Sequence, residues 1–418
     1  MSSPFLKEFN PEIMAPAGNR ASLTAAAQAG AGSVYLGVGN LNMRAHAAHN
    51  FSVEDLPQIV AFCRQHNIRS YLTVNTIFYD QDLPELKHLL GVAKEAGITA
   101  VIASDMAAIL EARSLDIEVH ISTQLNVSNI QALAFYAQYA EVIVLARELT
   151  LEQIGEIARQ VRERNITGPS GKRIKLELFC HGALCMAVSG KCYLSLHEYN
   201  KSANRGSCYQ ICRRSYTVTD NETGAELEVD NKYIMSPKDL CTITFLDKIL
   251  EAGIEVLKIE GRARSPEYVK TTVQAYTRGV RAVLEGNYTP ELAKSLEDQL
   301  RTVFNRGFWG GYYLGSKPGE WSDAYGNRAT EKKVYIARVT NYFSRSGIAE
   351  LKVETAPLHV GDKVMIIGPT TGVVEDVVRE IRLNDVPVQS APQGAVCSVP
   401  CAQKLRRSDK LYRIDKRD

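Results

Sequence analysis

RSYLTVNTIFYDQDLPELKHLLGVAKEAGITAVIA, residues 69–103, is the stretch on which the fold turns. It opens on a short β-branched and aromatic run (69–74), passes through the amphipathic stretch DLPELKHLLGVAKEAG, and closes on a second apolar run (100–103). That is one strand–helix unit followed by the strand of the next. Working outward, the same alternation gives strands at 12–15, 33–37, 118–122, 141–146, 175–179 and 255–259. Helical stretches such as ASLTAAAQAG and LTLEQIGEIARQVRER stand between them. Eight strands with intervening helices over about 285 residues predict a (β/α)8 barrel of the TIM type. A doubly wound sheet is the rival, but APAGNRAS follows the first strand where a dinucleotide-binding sheet would carry GxGxxG.

One connection is abnormal. About 55 residues separate strand seven from its helix, which the Ser236-Pro237 pair predicts to begin there and run through DLCTITFLDKILEAG. The insertion, about 181–235, leaves the carboxyl end of a strand, the face on which such barrels carry their active sites. Helical stretches follow at 265–285 and 290–305. From 331 the period changes to β, so the chain is expected to divide into a barrel domain, 1–328, and a small all-β barrel domain at 331–418.

The 418 residues are 45% apolar and 23% charged with a net charge of +2, which excludes a mostly disordered chain and shows no global basic excess. No basic start followed by an apolar run opens the sequence, and no window of about 18 apolar residues appears, so the expected place is the cytoplasm, with no membrane partner. The last fifteen residues, KLRRSDKLYRIDKRD, hold seven Lys/Arg against three Asp, a local +4 that suits a phosphate backbone as well as it suits a solubilising terminus.

Nine cysteines are present, and Cys185, Cys192, Cys208 and Cys212 fall within 28 residues of the insertion, where uniform scatter would put about 0.6. Four thiolates can close a zinc site or hold a [4Fe–4S] cluster. Zinc ligands usually pair at two to four intervening residues twice over, and only the second pair here does so. The spacing therefore favours iron–sulfur, with zinc and unligated core or redox cysteines as alternatives. Cys63, Cys180 and Cys241 read as packing residues, and Cys397 with Cys401 as an isolated pair. Polar residues just beyond the strands supply the rest of a barrel mouth. Asn19, Asn75, Gln124 and Arg147 are candidates for substrate binding, His181 and Glu260 for proton transfer, and Arg147 and Arg262 for holding carboxylates or phosphates. Asp105 and Glu148 stand at equivalent positions.

At HGALCMAVSGKCYLS, NRGSCYQICR, MSPKDL and KIEGRARSPEYV, with APAGN and YLGVGN nearer the start, the sequence strongly resembles the family catalogued as peptidase U32 over about residues 12–315. The family name implies a collagenase-like peptidase. The resemblance to its better-understood members implies instead an iron–sulfur protein that hydroxylates tRNA wobble uridine, ribosomal RNA cytidine or the ubiquinone ring without oxygen. Chain length, the Cys208/Cys212 pair and the terminal β domain resemble the tRNA branch, which hydroxylates uridine 34. The resemblance then implies Cys185, Cys192, Cys208 and Cys212 as cluster ligands, with His181, Glu260 and Arg262 as motif residues at the mouth. It implies prephenate as co-substrate and tRNA as partner, with accessory electron-transfer or cluster-assembly proteins.

Overall fold

The structure is a computed structural model that describes residues 10–46, 50–224, 226–227, 235–315, 321–322 and 326–417. Eight parallel strands form its centre: β1 (Glu12–Ala17), β2 (Ser33–Leu36), β3 (Arg69–Val74), β4 (Ala100–Ala103), β5 (Glu118–Ile121), β6 (Val142–Val144), β7 (Lys175–Gly182) and β8 (Val256–Ile259). Each pairs with the next, and β8 pairs with both β7 and β1, so the sheet closes into a barrel. Helices α1 (Arg20–Gln28), α2 (Leu56–Gln65), α3 (Leu83–Ala96), α4 (Met106–Ser114), α5 (Ile130–Ala137), α6 (Leu151–Glu163), α7 (Leu246–Glu251) and α8 (Pro266–Glu285) surround it, and α9 (Pro290–Arg301) packs on α8.

The alternation of a strand explains the two layers of core. Ile13, Ala15 and Ala17 of β1 face the helices, whereas Met14 meets Tyr35, Tyr71, Ile102 and Val142 inside the barrel. The interior also holds charge. Lys258 Nζ donates to Glu177 Oε1 at 2.8 Å and the Tyr71 hydroxyl donates to Glu12 Oε1 at 2.8 Å, so each buried ion has a partner.

The predicted helix start at Ser236-Pro237 is wrong. Residues Asp239–Cys241 are instead a short strand, antiparallel to β7 at Leu240 and Cys241 and parallel to Phe308–Trp309. Pairing with β7 satisfies backbone groups that a helix would have had to bond within itself, and the local capping signal loses to it. A 3-10 turn follows, and the helix begins only at Leu246.

The C-terminal region has its own hydrophobic core within an antiparallel sheet. Its main strands are β9 (Glu331–Phe343), β10 (Ile348–Val353), β11 (Lys363–Gly368), β12 (Gly372–Val377), β13 (Val396–Pro400) and β14 (Lys410–Lys416). Residues 410–416 of the basic C-terminal stretch are therefore a strand, β14, paired on both sides with β9 and β11. This sheet docks on the outside of the barrel: Ala25 of α1 packs on Met365 and Val373, and the Gln28 side chain bonds Thr371 O at 2.8 Å and Val373 N at 3.0 Å. Among the described residues, no helix is long and apolar enough to cross a membrane.

Candidate functional site at the barrel mouth

A cavity of about 210 Å³ opens at the carboxyl ends of the strands, lined by strand ends, by the loops that follow them and by the cysteine insertion. Tyr35 and Thr73 reach it from β2 and β3, Phe179 and Lys258 from β7 and β8, and Asn75, Gln124, Arg147, Glu260 and Arg262 from the loops beyond. Seven of its lining side chains are cationic and one, Glu260, is a carboxylate. A pocket with that balance of charge attracts anions.

Glu260 organises the charge. Arg44 Nη2 donates to Glu260 Oε1 at 2.9 Å, and the Tyr35 hydroxyl lies 3.4 Å from Oε2. Burial alone would raise this carboxyl, but Arg44, Arg147 and Arg262 outweigh it and hold it down at about 2. Arg262 is fixed by bonds from Nη1 to Asn42 Oδ1 at 3.0 Å and Thr73 Oγ1 at 2.9 Å, and burial lowers its guanidinium to about 10. Gly18 and Gly37 make this close packing possible: a Cβ on Gly18 would lie 1.8 Å from the Arg262 carbonyl oxygen, and one on Gly37 would lie 2.4 Å from Arg262 Nη1. Arg147 lies over the Phe179 ring at 3.8 Å and donates to Ala183 O at 3.1 Å, while its buried Nε finds no hydrogen-bond partner among the described residues. Asn75 and Gln124 stand side by side, 3.5 Å apart at their amides.

The insertion closes one side of the cavity. Arg213 ties its two ends together, donating to Leu184 O at 2.6 Å and to Ser236 Oγ at 3.1 Å. Cys185, Cys192, Cys208 and Cys212 all line the cavity, and none is in a disulfide. They are close enough to feel one another. Burial raises the Cys212 thiol, Arg213 opposes the rise, and Cys185, Cys208 and Cys192 each add to it. Arg44 is raised by Glu260 and also feels Cys185 and Cys208, so it bridges the carboxylate and the thiols. Among the described residues, no three Cys, His, Asp or Glu side chains converge on the position of a single ion. Four thiols around one cavity are a donor set of the kind that holds a metal centre.

Of the residues singled out from the sequence, Asn75, Gln124, Arg147, Glu260, Arg262 and the four cysteines come together here. Asn19 does not. Its side chain accepts from Ser22 N at 2.8 Å and caps α1. Asp105 likewise caps α4, and Glu148 is exposed outside the lining. His181 is 1% exposed behind the cavity wall, ringed by Tyr268, Tyr276 and Phe308, and burial lowers it to about 3, so it stays uncharged. Cys63, Cys180, Cys241, Cys397 and Cys401 are buried away from the cavity. Sequence reasoning missed Arg44, Lys258 and Tyr35. The last two lie inside the motifs KIEGRARSPEYV and YLGVGN, while nothing local marks Arg44.

The family model for Peptidase family U32 matches residues 18–323. A Porphyromonas gingivalis protein named collagenase is 53% identical over 407 residues, covering 97% of this chain and 98% of its own. The Bacillus subtilis tRNA hydroxylation protein P1 is 32% identical over 367 residues, 86% of this chain and 84% of that one. The Escherichia coli 23S rRNA 5-hydroxycytidine C2501 synthase is 35% identical over 275 residues, 66% of this chain and 40% of that longer one. The match begins at Gly18, whose missing Cβ lets the first strand approach Arg262, and it takes in the whole cysteine insertion. The chain belongs to peptidase family U32.

Proposed function

We propose that this protein is an RNA-modifying enzyme that hydroxylates C5 of the wobble uridine, position 34 of tRNA, with prephenate as co-substrate. One observation carries the reading: four cysteines gather on the rim of a cavity whose charged lining residues are all cationic apart from Glu260. Cys185, Cys192, Cys208 and Cys212 would hold a [4Fe–4S] cluster. When bound, such a cluster supplies one-electron and Lewis-acid chemistry beside the cavity.

The chain's own residues bind and orient. Arg147 with its unpartnered Nε, Arg262 and Lys258 offer charge-assisted bonds to the carboxylates of prephenate. Lys258 is 4% exposed and donates to Glu177 beneath it, with the Tyr35 and Phe179 rings 4.9 and 5.4 Å away. Asn75 and Gln124 present an amide pair of the kind that reads the edge of an extruded base. Anticodon bases are single-stranded, so delivering one to this cavity costs less than opening a duplex.

The name of the Porphyromonas relative favours a second reading, a peptidase acting on collagen-like chains. Hydrolysis needs an activated nucleophile or a general base. Glu260 is held ionised by three guanidiniums and is a weak base, and His181 lies behind the wall. The lining therefore supports the peptidase reading poorly.

Mass spectrometry of tRNA nucleosides from a deletion strain is the test. Loss of wobble 5-hydroxyuridine derivatives, restored by the wild-type gene and not by Cys185→Ala, is expected. An unchanged nucleoside profile overturns the proposal. Gelatin cleavage by the pure protein that survives Cys185→Ala would establish the peptidase instead.

A further inference from the structure

The outer face of the cysteine insertion is as distinctive as the inner one. Cys192, Leu194, Cys208 and Gln210 line the cavity, whereas the residues between them, Tyr193 and Tyr209, do not. Each tyrosine directly follows a cavity cysteine and points the other way, at 67% and 53% exposure. Exposed tyrosines of this size leave apolar ring faces in water, which a folded chain ordinarily avoids in groups. A third joins Tyr209: Tyr199 ends the short helix Leu194–Tyr199, which starts directly after Tyr193, and its ring lies 5.0 Å from that of Tyr209. The group is held in place, because Tyr209 N donates to the buried Ser195 Oγ at 3.0 Å and Arg214 bonds the Tyr199 hydroxyl with its guanidinium 5.5 Å from the ring.

Charge selects the partner. Between residues 185 and 216 there is one acidic side chain, Glu198, against five Lys and Arg. Arg205 is spent on Asp82 and Arg213 is turned inward, so Lys191, Lys201 and Arg214 remain exposed on the same segment, Arg214 against Tyr199. Aromatic rings interleaved with cations, on a surface contiguous with a cavity mouth, match a strand whose bases stack and whose phosphates carry charge.

We propose that Tyr193, Tyr199 and Tyr209 form a stacking platform for unpaired bases of single-stranded RNA flanking the nucleotide that enters the cavity, with Lys191, Lys201 and Arg214 taking the phosphates. The inference rests on the reading of the protein as an RNA-modifying enzyme. Because each platform tyrosine is adjacent in sequence to a cavity cysteine or packed on one that is, the platform fixes the strand relative to the cavity. It reads no sequence of its own, since every base offers a ring face.

The test uses the full chain, purified anaerobically with its iron, and a fluorescently labelled RNA hairpin with a single-stranded loop. A fully paired RNA of equal length is the control. Anisotropy titrations should show that Tyr193→Ala and Tyr209→Ala each weaken hairpin binding by about 5- to 150-fold. Tyr193→Phe and Tyr209→Phe should stay near wild type, because stacking needs the ring and not the hydroxyl. Binding of the paired control should be weak and unaffected. Lys191→Ala combined with Lys201→Ala should flatten the dependence of hairpin affinity on salt. Iron content and thermal melting confirm that each variant folds, and the highly exposed Tyr193 serves if Tyr209→Ala does not. Alanine variants that bind the hairpin as wild type does overturn the platform. If they instead lose reduction by an acidic redox protein, the face is a protein-docking surface and the inference is equally overturned. A wild-type protein that still hydroxylates tRNA in those cases leaves the proposed function standing, whereas one that acts on no RNA removes both.

Discussion

Replacing Glu260 by glutamine tests whether the cavity is organised by charge. The substitution keeps the size and one acceptor oxygen, exchanges the other for an NH2 donor, and removes the one carboxylate that faces Arg44, Arg147 and Arg262. Folding lowers this carboxyl from its ordinary 4.5 to about 2, which corresponds to about 3 kcal/mol of stability at neutral pH. The sign follows from linkage. A depressed carboxyl contributes fully above its unfolded value, and the contribution is lost as pH falls through the folded value. Glu260→Gln should therefore be about 3 kcal/mol less stable than wild type from about pH 6 to 8, and the gap should shrink to about half by pH 3. Urea unfolding followed through Trp309 and Trp321, both of which lie in the barrel half, reads the relevant transition. Arg44→Met alone should also destabilise, and combining it with Glu260→Gln should recover part of the loss, with a coupling of about 1–3 kcal/mol. Equal stability of Glu260→Gln and wild type across this pH range would refute the charge argument. So would a gap that widens in acid.

Cys185→Ser and Cys212→Ser should lose iron on anaerobic purification, while Cys241→Ser and Cys397→Ser, buried away from the cavity, should keep it; metal analysis of the four proteins decides. Gly18→Ala forces its Cβ into the Arg262 carbonyl, so it should destabilise by more than about 3 kcal/mol or fail to fold, with urea unfolding or soluble yield as the readout. His181 is lowered by burial from 6.5 to about 3, so the unfolded chain takes up its proton first and stability falls as pH drops below about 6.5. About 3 kcal/mol should be gone by pH 4.5, and His181→Phe, which suits the surrounding aromatic rings, should flatten that slope. A His181→Phe protein with the wild-type slope would show that the histidine is protonated in the folded state.

The barrel was legible because its strands and helices announce themselves locally. Residues 69–103 hold a complete strand, an amphipathic helix and the next strand, and their periods differ. The cysteine site was legible for a different reason: four thiols in 28 residues are improbable by chance, and their place after strand seven puts them at the mouth of any barrel of this type. Both are properties of short stretches of chain.

What the tertiary structure alone decided depends on where side chains point and what pairs across long distances. Asn19 and Asn75 both stand just beyond a strand end, yet one caps a helix and the other faces the cavity. His181 follows Cys180 at the end of β7, but the register of β7 against β8 shifts between Lys258 and Ile259, and the imidazole lies among Tyr268, Tyr276 and Phe308. The Ser236-Pro237 signal was overruled by pairing with β7, and Arg44 became the partner of Glu260 across 216 residues. A single sequence determines its periods, its clusters and its breakers, because these follow from neighbouring residues. Which charges meet in the cavity follows from barrel closure, which brings β8 beside β1 and so sets Arg262 against Gly18.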